Sequence, residues 1–521
     1  MIRLSVFILL VALLHLSGVD TLHAAISDDC VVRFVPIARK IAQDRTNRTP
    51  YRAIVRLYSN AELPPDVWIP SEVLTDLNVK YDLNKEKTVF TFRLQNPAAK
   101  LGVPSLKQLA PKGLDLDFRA LSEDNRIHFN LNGMERVTGL GYELADVSHK
   151  PATPPEAALL IVGKEAFMRD AMERGARRTA QWREEKPEKL QSPFNLVWDH
   201  VRRENRDLTS GDALPGVRVI SPTWFALTDE SGALSNLAGA SYVPAAHAKG
   251  YHVWALVSNG FKKKRTTDFL KDPSAQNRCI ARLLAYAALY GFDGINVDFE
   301  NVANDDAARL TAFVRKLSTE AAKMKLKMSI DIMIPTNWSK CYDRKSLAKI
   351  VDYVAVMTYD EHWSSAPRAG STASLPWTEA ALKRTLADVP PQKLLLGIPL
   401  YTREWEETRD KNGKVKVKSK AFSMASVDAR LRETSADKRW LSDKGQHYFD
   451  YVSDDKTYRI WIEDTRSLAL RMDLVEKNAL AGAAFWRKGF EHREIWDEIE
   501  EATERMAKER ARKEAEKKKA K

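Results

Sequence analysis

The sequence predicts an α/β fold, a (β/α)8 barrel, from two observations. From residue 194 onward, eight short apolar segments have the length of buried strands, and segments with the period of helices lie between them. Eight parallel units are the number that closes a barrel, and the glycine fingerprint of an open nucleotide-binding sheet is missing from the sequence. The strands are expected at residues 194–200, 217–223, 251–258, 294–300, 327–333, 352–358, 393–399 and 480–486.

The helices that flank the fourth strand have the clearest patterns. Before the strand, apolar residues recur at helical spacing between residues 280 and 288, and Gly291 suits the position just after a helix end. After the strand, the acidic pair Asp305 and Asp306 suits a helix N-terminus, and a second apolar stripe follows. A strand between two such helices belongs to a parallel sheet that is covered on its outer face.

A long interval separates the seventh and eighth strands. Two alternating segments near residues 446–452 and 458–464 predict a hairpin, and residues 467–476 have a helical pattern. We therefore expect a small α+β insertion at about residues 404–478.

The chain outside the barrel divides into four further parts. A weakly basic start, an apolar run from Val6 to Leu16 and small residues near Ala24 are typical of a signal peptide. An uncleaved anchor is the alternative, but the run is shorter than the roughly 20 residues that a membrane span needs. The expected organisation is a signal peptide at 1–25, a small β-rich N-terminal domain at 26–150, a helical linker at 151–192, the barrel at 193–500 and a basic helical tail at 501–521.

The composition is that of a globular protein. With 44% hydrophobic and 29% charged residues, the chain is neither disordered nor an integral membrane protein. The net charge is +12, which suits either a solvated basic tail or electrostatic association with an anionic cell envelope. Nucleic acid is not an expected partner, because no nucleic-acid motif is present. Cys30, Cys279 and Cys341 allow one disulfide with a leftover thiol or three free thiols.

The segment from Asp293 to Glu300 places polar side chains on one face of an apolar strand. Asn296, Asp298 and Glu300 alternate with apolar residues and therefore point the same way. Burying two carboxylates costs several kcal/mol unless they are hydrogen-bonded or serve chemistry. A strand with one solvated face is the alternative. Because active sites of barrels lie at the C-terminal ends of the strands, we expect a catalytic site here.

Four motifs follow one another along the barrel. Residues 293–300 read Asp-Gly-Ile-Asn-Val-Asp-Phe-Glu, and Met-Thr-Tyr-Asp at 357–360, Gly-Ile-Pro-Leu-Tyr at 397–401 with Arg403, and Phe-Trp at 485–486 come after them. Together they resemble glycoside hydrolase family 18, the chitinase-like retaining hydrolases, whose signature is Asp-Gly-x-Asp-x-Asp-x-Glu. The resemblance covers about residues 193–500 and implies a TIM barrel. Asn296 replaces an aspartate of the signature, as it does in the bacterial cell-envelope and sporulation branch of the family.

The resemblance implies a mechanism in which the substrate's own acetamido oxygen attacks the anomeric carbon. Glu300 would act as general acid and then as base, and Asp298 would orient the acetamide. The expected catalytic residues are Glu300, Asp298, Tyr359, Asp293 and Asn296. Tyr359 would bond the acetamide, Asn296 would bond Asp298, and Asp293 would support Asp298 from below. The expected substrate-binding residues are Trp486, Met357, Asp360, Tyr401 and Arg403, with Trp486 as the apolar floor beneath the cleaved sugar.

The implied function is that of an exported retaining hydrolase of N-acetylglucosamine-containing glycans with β-1,4 bonds. We expect it to be secreted, or to lie in the periplasm or cell envelope. Peptidoglycan is favoured because its stem peptides carry carboxylates that suit a basic protein, and chitin or chitooligosaccharides are the alternative. A catalytically silent glycan-binding barrel is a second alternative. A metal-dependent hydrolase is a third, but no His-x-His or His-Glu-x-x-His pair occurs, so neither a metal nor another cofactor is expected.

Further aromatic and acidic residues are candidates for the walls of a sugar cleft. Five tryptophans are expected near strand ends, namely Trp198, Trp224, Trp254, Trp363 and Trp405. Glu463 and Asp464, on the insertion, could form one wall.

Overall fold

The computed structural model describes residues 30–36, 52–56, 66–123, 125–146, 158–164, 189–202, 205–206, 208, 211–409 and 411–519. The N-terminal strands are β1 Cys30–Pro36, β2 Arg52–Arg56, β3 Asp66–Pro70, β4 Asp82–Leu83, β5 Val89–Leu94, β6 Leu114–Glu123, β7 Arg126–Asn130, β8 Leu140–Asp146 and β9 Ala158–Lys164. The helices among them are α1 Ser71–Asp76, α2 Pro97–Leu101, α3 Leu106–Leu109 and α4 Glu135–Thr138. These strands form one sheet in the order β4-β5-β6-β7-β3-β2-β1-β9-β8.

The N-terminal sheet extends further along the chain than the sequence predicts. Strand β9 lies within the expected linker at 151–192, yet it pairs in parallel with β1 and antiparallel with β8. The apolar run at 158–162 therefore supplies the strand next to the edge strand β8, beyond the domain boundary expected at residue 150. The other residues of the expected linker up to residue 188, and the expected signal peptide, lie outside the described residues.

The remaining elements build the barrel and its insertion. The strands are β10 Phe194–Asp199, β11 Val217–Pro222, β12 Phe225–Leu227, β13 Leu234–Asn236, β14 His252–Ser258, β15 Gly294–Asp298, β16 Lys327–Met333, β17 Tyr353–Met357, β18 Leu394–Pro399, β19 Tyr401–Arg409, β20 Val415–Ser423, β21 Arg439–Leu441, β22 Gln446–Ser453, β23 Lys456–Ile462 and β24 Gly482–Trp486. The helices are α5 Tyr242–Ala248, α6 Lys263–Lys271, α7 Pro273–Tyr290, α8 Ala307–Lys323, α9 Arg344–Ile350, α10 Leu375–Leu386, α11 Met424–Thr434, α12 Thr465–Lys477 and α13 Ile495–Lys519.

Eight parallel strands close into the barrel. Around it they run β10, β11, β14, β15, β16, β17, β18 and β24, and β24 pairs with β10 to complete the ring. Each coincides with one of the eight strands expected from the sequence, so the prediction of a TIM barrel is confirmed. Between the seventh and eighth strands, β19 to β23 form a separate five-stranded sheet with the order β20-β19-β23-β22-β21. The α+β insertion therefore begins at Tyr401, immediately after the seventh barrel strand.

The barrel strands pack differently on their two faces. Ile295 and Val297 of β15 belong to the outer core that the surrounding helices cover. The interior is filled by a smaller cluster that includes Trp198, Trp254 and Leu256, with residues from several strands. The alternation predicted for β15 is therefore present, and Asn296 and Asp298 point into the barrel.

Helix α7 joins the N-terminal sheet to the barrel. It is buried over most of its length because it lies between the two. The Tyr286 hydroxyl accepts from the backbone N–H of Asp117 at 2.9 Å and donates to its carbonyl at 3.0 Å. Arg282 Nε donates to the carbonyl of Asp115 at 3.1 Å. These bonds fix strand β6 against a barrel helix.

The C-terminal helix α13 is partly buried, and two of the cysteines are buried. In α13, Ala502 and Met506 are buried, so the first turns of the basic tail pack against the barrel while the later ones are exposed. Cys279 and Cys341 are buried free thiols. A disulfide within the chain would need at least one of them. Among the described residues, no helix combines the length and apolar character that crossing a membrane requires.

We expect the substitution Tyr286→Phe to lower the free energy of unfolding by about 1–3 kcal/mol, because the amide of Asp117 loses its partner inside an interface. Urea denaturation measures this change. Tyr81→Phe is the matched control, since its hydroxyl bonds the Ser71 carbonyl at 3.3 Å near the surface, and it should change stability by less than about 0.5 kcal/mol. Equal effects of the two substitutions would contradict the importance of this contact.

Candidate active site

The backbone that carries Glu300 is held by two side chains from neighbouring loops. Strand β15 ends at Asp298, and Glu300 lies two residues beyond it. Asn259 accepts from the Glu300 amide at 3.1 Å and donates to its carbonyl at 2.6 Å. The Tyr342 hydroxyl donates to the carbonyl of Phe299 at 2.8 Å. These bonds fix the backbone at Glu300 and do not involve its carboxyl group.

Neither of these two positioning residues was predicted. Asn259 directly follows strand β14, so its position as a polar residue at a strand end could have indicated it. Tyr342 lies in the loop after β16, where the sequence carries no comparable signal.

Asn296 uses all four hydrogen-bonding positions of its amide. Its Oδ1 accepts from Trp198 Nε1 at 2.9 Å and from Ser221 Oγ at 3.2 Å. Its Nδ2 donates to Ser329 Oγ at 3.0 Å and to Asp331 Oδ1 at 2.8 Å. The predicted bond from Asn296 to Asp298 is therefore wrong, because both N–H groups of the amide are directed to strand β16.

Asp331 is a third buried carboxyl that the sequence interpretation missed. It lies on β16 and is only 2% exposed. Ser329 and Asp331 alternate with apolar residues just as the polar residues of β15 do, so the same pattern could have found it. Asp298, Glu300 and Asp331 are together called the acid cluster.

The three carboxyls of the acid cluster share raised pKa values. Burial raises the pKa of Asp298 well above its ordinary value, and the charges of Glu300 and Asp331 raise it further. Burial, followed by the charge of Asp360, raises the pKa of Glu300 to about 7. Burial also raises the pKa of Asp331 to about 8, against the bond from Asn296. The cluster therefore retains protons at neutral pH, and Glu300 can donate one there.

Asp298 has one carboxyl oxygen without a protein partner. Its Oδ1 is buried, and within the described ranges no donor lies in hydrogen-bonding distance of it. An unsatisfied buried acceptor beside two other carboxyls is expensive in a resting protein and is typical of a functional site. A substrate N–H group would satisfy this oxygen. The part of the chain that the structure describes contains no group of three or more His, Cys, Asp or Glu arranged to hold a metal ion.

Three of the predicted residues meet at the ends of strands six and seven. The Asp360 carboxylate accepts from the Tyr401 hydroxyl at 2.6 Å and from Arg403 Nη2 at 2.9 Å. The ring of Tyr359 lies edge to face with that of Tyr401, with centroids 6.4 Å apart. Burial raises the pKa of Tyr359 well above its ordinary value, so its hydroxyl stays a donor. Met357 is buried at the end of β17.

Trp486 ends the eighth barrel strand and lies against the first. Its ring packs edge to face on Trp198 with centroids 5.9 Å apart, and the ring of His200 lies at the same distance on another side. Because Trp198 also donates to Asn296, the predicted sugar floor is connected to the acid cluster through one indole.

Asp293 lies at the opposite end of β15 from the acid cluster. It precedes the strand, and its Oδ2 is 2.7 Å from His247 Nε2 and accepts from the amide of Val253 at 2.8 Å. Five residues of strand at about 3.3 Å each separate Asp293 from Asp298. This position suits a residue that anchors the start of the strand to α5 and β14, and it does not suit contact with a substrate.

Several residues proposed for a sugar cleft are in the core instead. Four of the five tryptophans are at most 1% exposed, namely Trp198, Trp224, Trp254 and Trp405, whereas Trp363 is 53% exposed. Glu463 is buried, with its carboxylate 3.2 Å from Arg471 Nη2. Asp464 caps the N-terminus of α12. The predicted wall of Glu463 and Asp464 is therefore wrong, because both carboxylates are bound to residues of helix α12 within the insertion.

A (β/α)8 barrel with clustered carboxyls of raised pKa at its fourth and fifth strands fits the class of glycoside hydrolases. The profile of glycosyl hydrolases family 18 matches residues 240–490. The chain thus carries a domain of this family, and the resemblance stated from the motifs is confirmed.

Individual relatives are distant. The uncharacterized glycosylase YvbX of Bacillus subtilis is 25% identical over 273 residues, which are 50% of this chain and 77% of that protein. The cortical fragment-lytic enzyme of Bacillus anthracis is 27% identical over 248 residues, 46% of this chain and 56% of that enzyme, so little more than half of its length is matched. The crystal structure of the spore cortex-lytic enzyme SleL of Bacillus cereus has a TM-score of 0.53 and 21% identity, and the match covers 60% of this chain and 74% of that one.

We expect Asn296→Asp to destabilise the fold by about 1–3 kcal/mol near neutral pH, since two buried donors are replaced by a carboxyl that faces Asp331. The new carboxyl should have a raised pKa in the folded state and an ordinary value near 4 when unfolded. Its protonated form suits the fold, so the penalty is small below about pH 4 and grows as the pH rises toward the folded pKa.

Urea denaturation between pH 4 and pH 8 measures this dependence. Asn301→Asp is the matched control, because it adds the same charge at an exposed position beside Glu300 and should change stability by less than about 0.5 kcal/mol. A penalty for Asn296→Asp that does not depend on pH would contradict the role assigned to the amide.

Proposed function

We propose that this protein hydrolyses N-acetylglucosamine-containing glycans with retention of configuration, through participation of the substrate's acetamido group. The observation that carries the proposal is the acid cluster, in which Glu300 has a pKa of about 7 beside a buried Asp298 oxygen that lacks a partner. Glu300 supplies a proton at neutral pH, and Asp298 supplies an acceptor for an amide N–H.

In the first step the glycosidic oxygen takes a proton from Glu300. The acetamido oxygen of the same sugar forms a bond to the anomeric carbon as the leaving group departs. Asp298 Oδ1 accepts the acetamide N–H and so holds the acetamide in the geometry of attack. Tyr359, whose hydroxyl remains protonated, donates to the acetamide. The positive charge that develops on the resulting ring is stabilised by the negative charge that the acid cluster acquires when Glu300 gives up its proton.

In the second step Glu300 acts as a base. Its carboxylate removes a proton from water, which attacks the anomeric carbon from the face that the leaving group has vacated. The acetamide is regenerated, and the configuration of the product matches that of the substrate. The backbone bonds from Asn259 keep Glu300 in position for both steps.

Exposed aromatic side chains support a glycan as the substrate. Phe261 is 48% exposed, Trp338 62% and Trp363 53%, and they lie on the loops that follow β14, β16 and β17. These loops surround the C-terminal end of the barrel, where Glu300 lies. A flat aromatic face suits the C–H face of a sugar ring, because both are apolar surfaces of similar size.

Among glycans we favour peptidoglycan. The matched enzyme from Bacillus anthracis is named for the lysis of cortical fragments. The net charge of +12 suits a polymer that carries carboxylates. This substrate also agrees with export, for which residues 1–25 provide the signal expected from the sequence. Association of the basic chain with an anionic cell envelope is part of the same proposal.

We expect Glu300→Gln to lower kcat on purified peptidoglycan by about 10²–10⁴-fold, because the amide cannot donate or accept the proton. Release of reducing ends with product masses measures the reaction, and chitin serves as the second substrate. Glu379→Gln is the matched control, since Glu379 is exposed on α10 and should leave kcat unchanged.

The outcomes separate the alternatives. Activity on chitin alone would reject the preferred substrate. If the wild type and Glu300→Gln bind glycan equally and neither hydrolyses it, the protein is a glycan-binding barrel and the enzyme proposal fails.

We expect Asp360→Asn to move the alkaline limb of the kcat/KM profile to lower pH. Glu300 must be protonated to act as the acid, so activity falls as the pH rises through its pKa of about 7. The charge of Asp360 raises that pKa, and its removal also leaves the charge of Arg403 unbalanced. A limb that stays in place or moves to higher pH would contradict this assignment.

A further inference from the structure

Four cations gather beside Trp486, on the loops that follow the first and last barrel strands. They are called the basic rim here and comprise Arg202, Arg206, Arg487 and Lys488. The two loops are tied together, because Arg206 Nη2 donates to the carbonyl of Lys488 at 3.2 Å. The backbone N–H of Lys488 donates to the carbonyl of Trp198 at 2.9 Å, which places this loop against the first strand.

Among the described residues, two acidic groups lie near the basic rim and offset part of its charge. Asp199 is fully buried, and it is bound by Arg206 Nε at 3.0 Å and by the Tyr242 hydroxyl at 2.7 Å. The Glu491 carboxylate accepts from two backbone N–H groups, at 2.6 and 2.9 Å. Across the part of the chain that the structure describes, Arg202 and Arg487 have no carboxylate within salt-bridge distance.

His200 lies next to the basic rim, and its Nε2 accepts from Arg202 Nε at 3.4 Å. It is half-buried between the basic rim and Trp486, with its ring centroid 5.9 Å from that of Trp486. Burial lowers the pKa of His200, and the charges of Arg487 and Arg202 lower it further. The imidazole next to the sugar floor therefore stays neutral, and the uncompensated charge remains on the arginines.

Arg487 is held in a geometry that suits a planar anion. Its guanidinium carbon lies 3.9 Å from the centroid of the Phe490 ring, so one face of the group is covered. The N–H groups at the edge of a guanidinium match the two oxygens of a carboxylate. Arg202 is exposed on the neighbouring loop and adds a second charge.

We propose that the basic rim is a carboxylate-binding subsite of the active site, and that the substrate carries a carboxylate close to the sugar that packs on Trp486. The inference rests on the proposed function, since it takes Trp486 as the floor of that sugar. Peptidoglycan carries such carboxylates on its stem peptides and on those lactyl groups that have no stem peptide attached, whereas chitin is neutral. A neutral glycan would bring no carboxylate to Arg202 and Arg487.

The test compares two glycans that differ only in charge. One is an alternating N-acetylglucosamine and N-acetylmuramic acid oligomer, and the other is the same oligomer with its carboxyl groups methyl-esterified. We define the carboxylate preference as the ratio of the two kcat/KM values. In the wild type it should be about tenfold or more, and it should decrease as sodium chloride is raised, because salt screens exposed charges.

Substitutions then locate the preference. The double variant Arg202→Gln/Arg487→Gln should lower it by about tenfold, and Arg487→Lys should lower it in part, because a lysine keeps the charge without the fork of N–H groups. The control Arg315→Gln/Arg384→Gln removes the same charge from exposed positions on α8 and α10 and should retain the preference. If the double variant does not fold, Arg202→Gln alone carries the test at an exposed position.

Calorimetric binding to the Glu300→Gln variant separates this inference from the proposed function. If the wild type hydrolyses neither glycan, the proposed function fails, and tighter binding of the carboxylate form would still support the basic rim. If both glycans are bound and hydrolysed equally, hydrolysis stands and the carboxylate subsite is overturned. Loss of the preference in the control variant to the same extent would also overturn it.

Discussion

The hydrogen bonds of Asn296 are the interaction on which the site depends. One neutral amide joins β15 to Trp198 on β10, to Ser221 on β11 and to two residues of β16. Every lone pair and N–H group of the amide is hydrogen-bonded in a region that excludes water. Each bond is therefore strengthened, and the loss of any one of them would destabilise the folded state. An ionised aspartate at this position could not donate to Asp331, and it would add a fourth carboxyl to a barrel interior that already holds three. The amide therefore limits the buried charge and also orients Asp331.

The pattern along one strand could be predicted, whereas the partners across strands could not. Polar and apolar residues alternate along 294–298. Because this pattern is local, the sequence alone indicated which side chains of β15 point inward. Asn296 is paired with Ser329 in the register between β15 and β16, and Asp331 follows Ser329 by two residues on the same face of the strand. The error over the partner of Asn296 has the same origin, since the sequence shows which residues are close along one strand and not which residues lie beside them on the next strand.

The placement of aromatic residues shows a second limit. Tryptophans near strand ends can face the interior, the helices or the solvent, and the sequence does not distinguish these cases. Trp254 fills the barrel interior and Trp224 packs under the outer helices, while Trp363 is exposed. The apolar helix α7 has a similar ambiguity. Its residues are apolar on two sides because a second domain covers the side that usually faces water. The helical period of a sequence does not indicate which element covers that side.

The acid cluster and the basic rim carry opposite charges, and the distance between them affects the pKa of Glu300. A cation close to Glu300 would stabilise its ionised form and lower its pKa, so the acid would be lost at neutral pH. The guanidinium of Arg403 is bound to Asp360. The charge that reaches Glu300 is then that of Asp360, which raises the pKa. The cations of the basic rim do not contribute to the pKa of Glu300, which is set by burial and by the charge of Asp360. On the proposed function, one group of residues would attract an anionic glycan while another keeps the acid protonated.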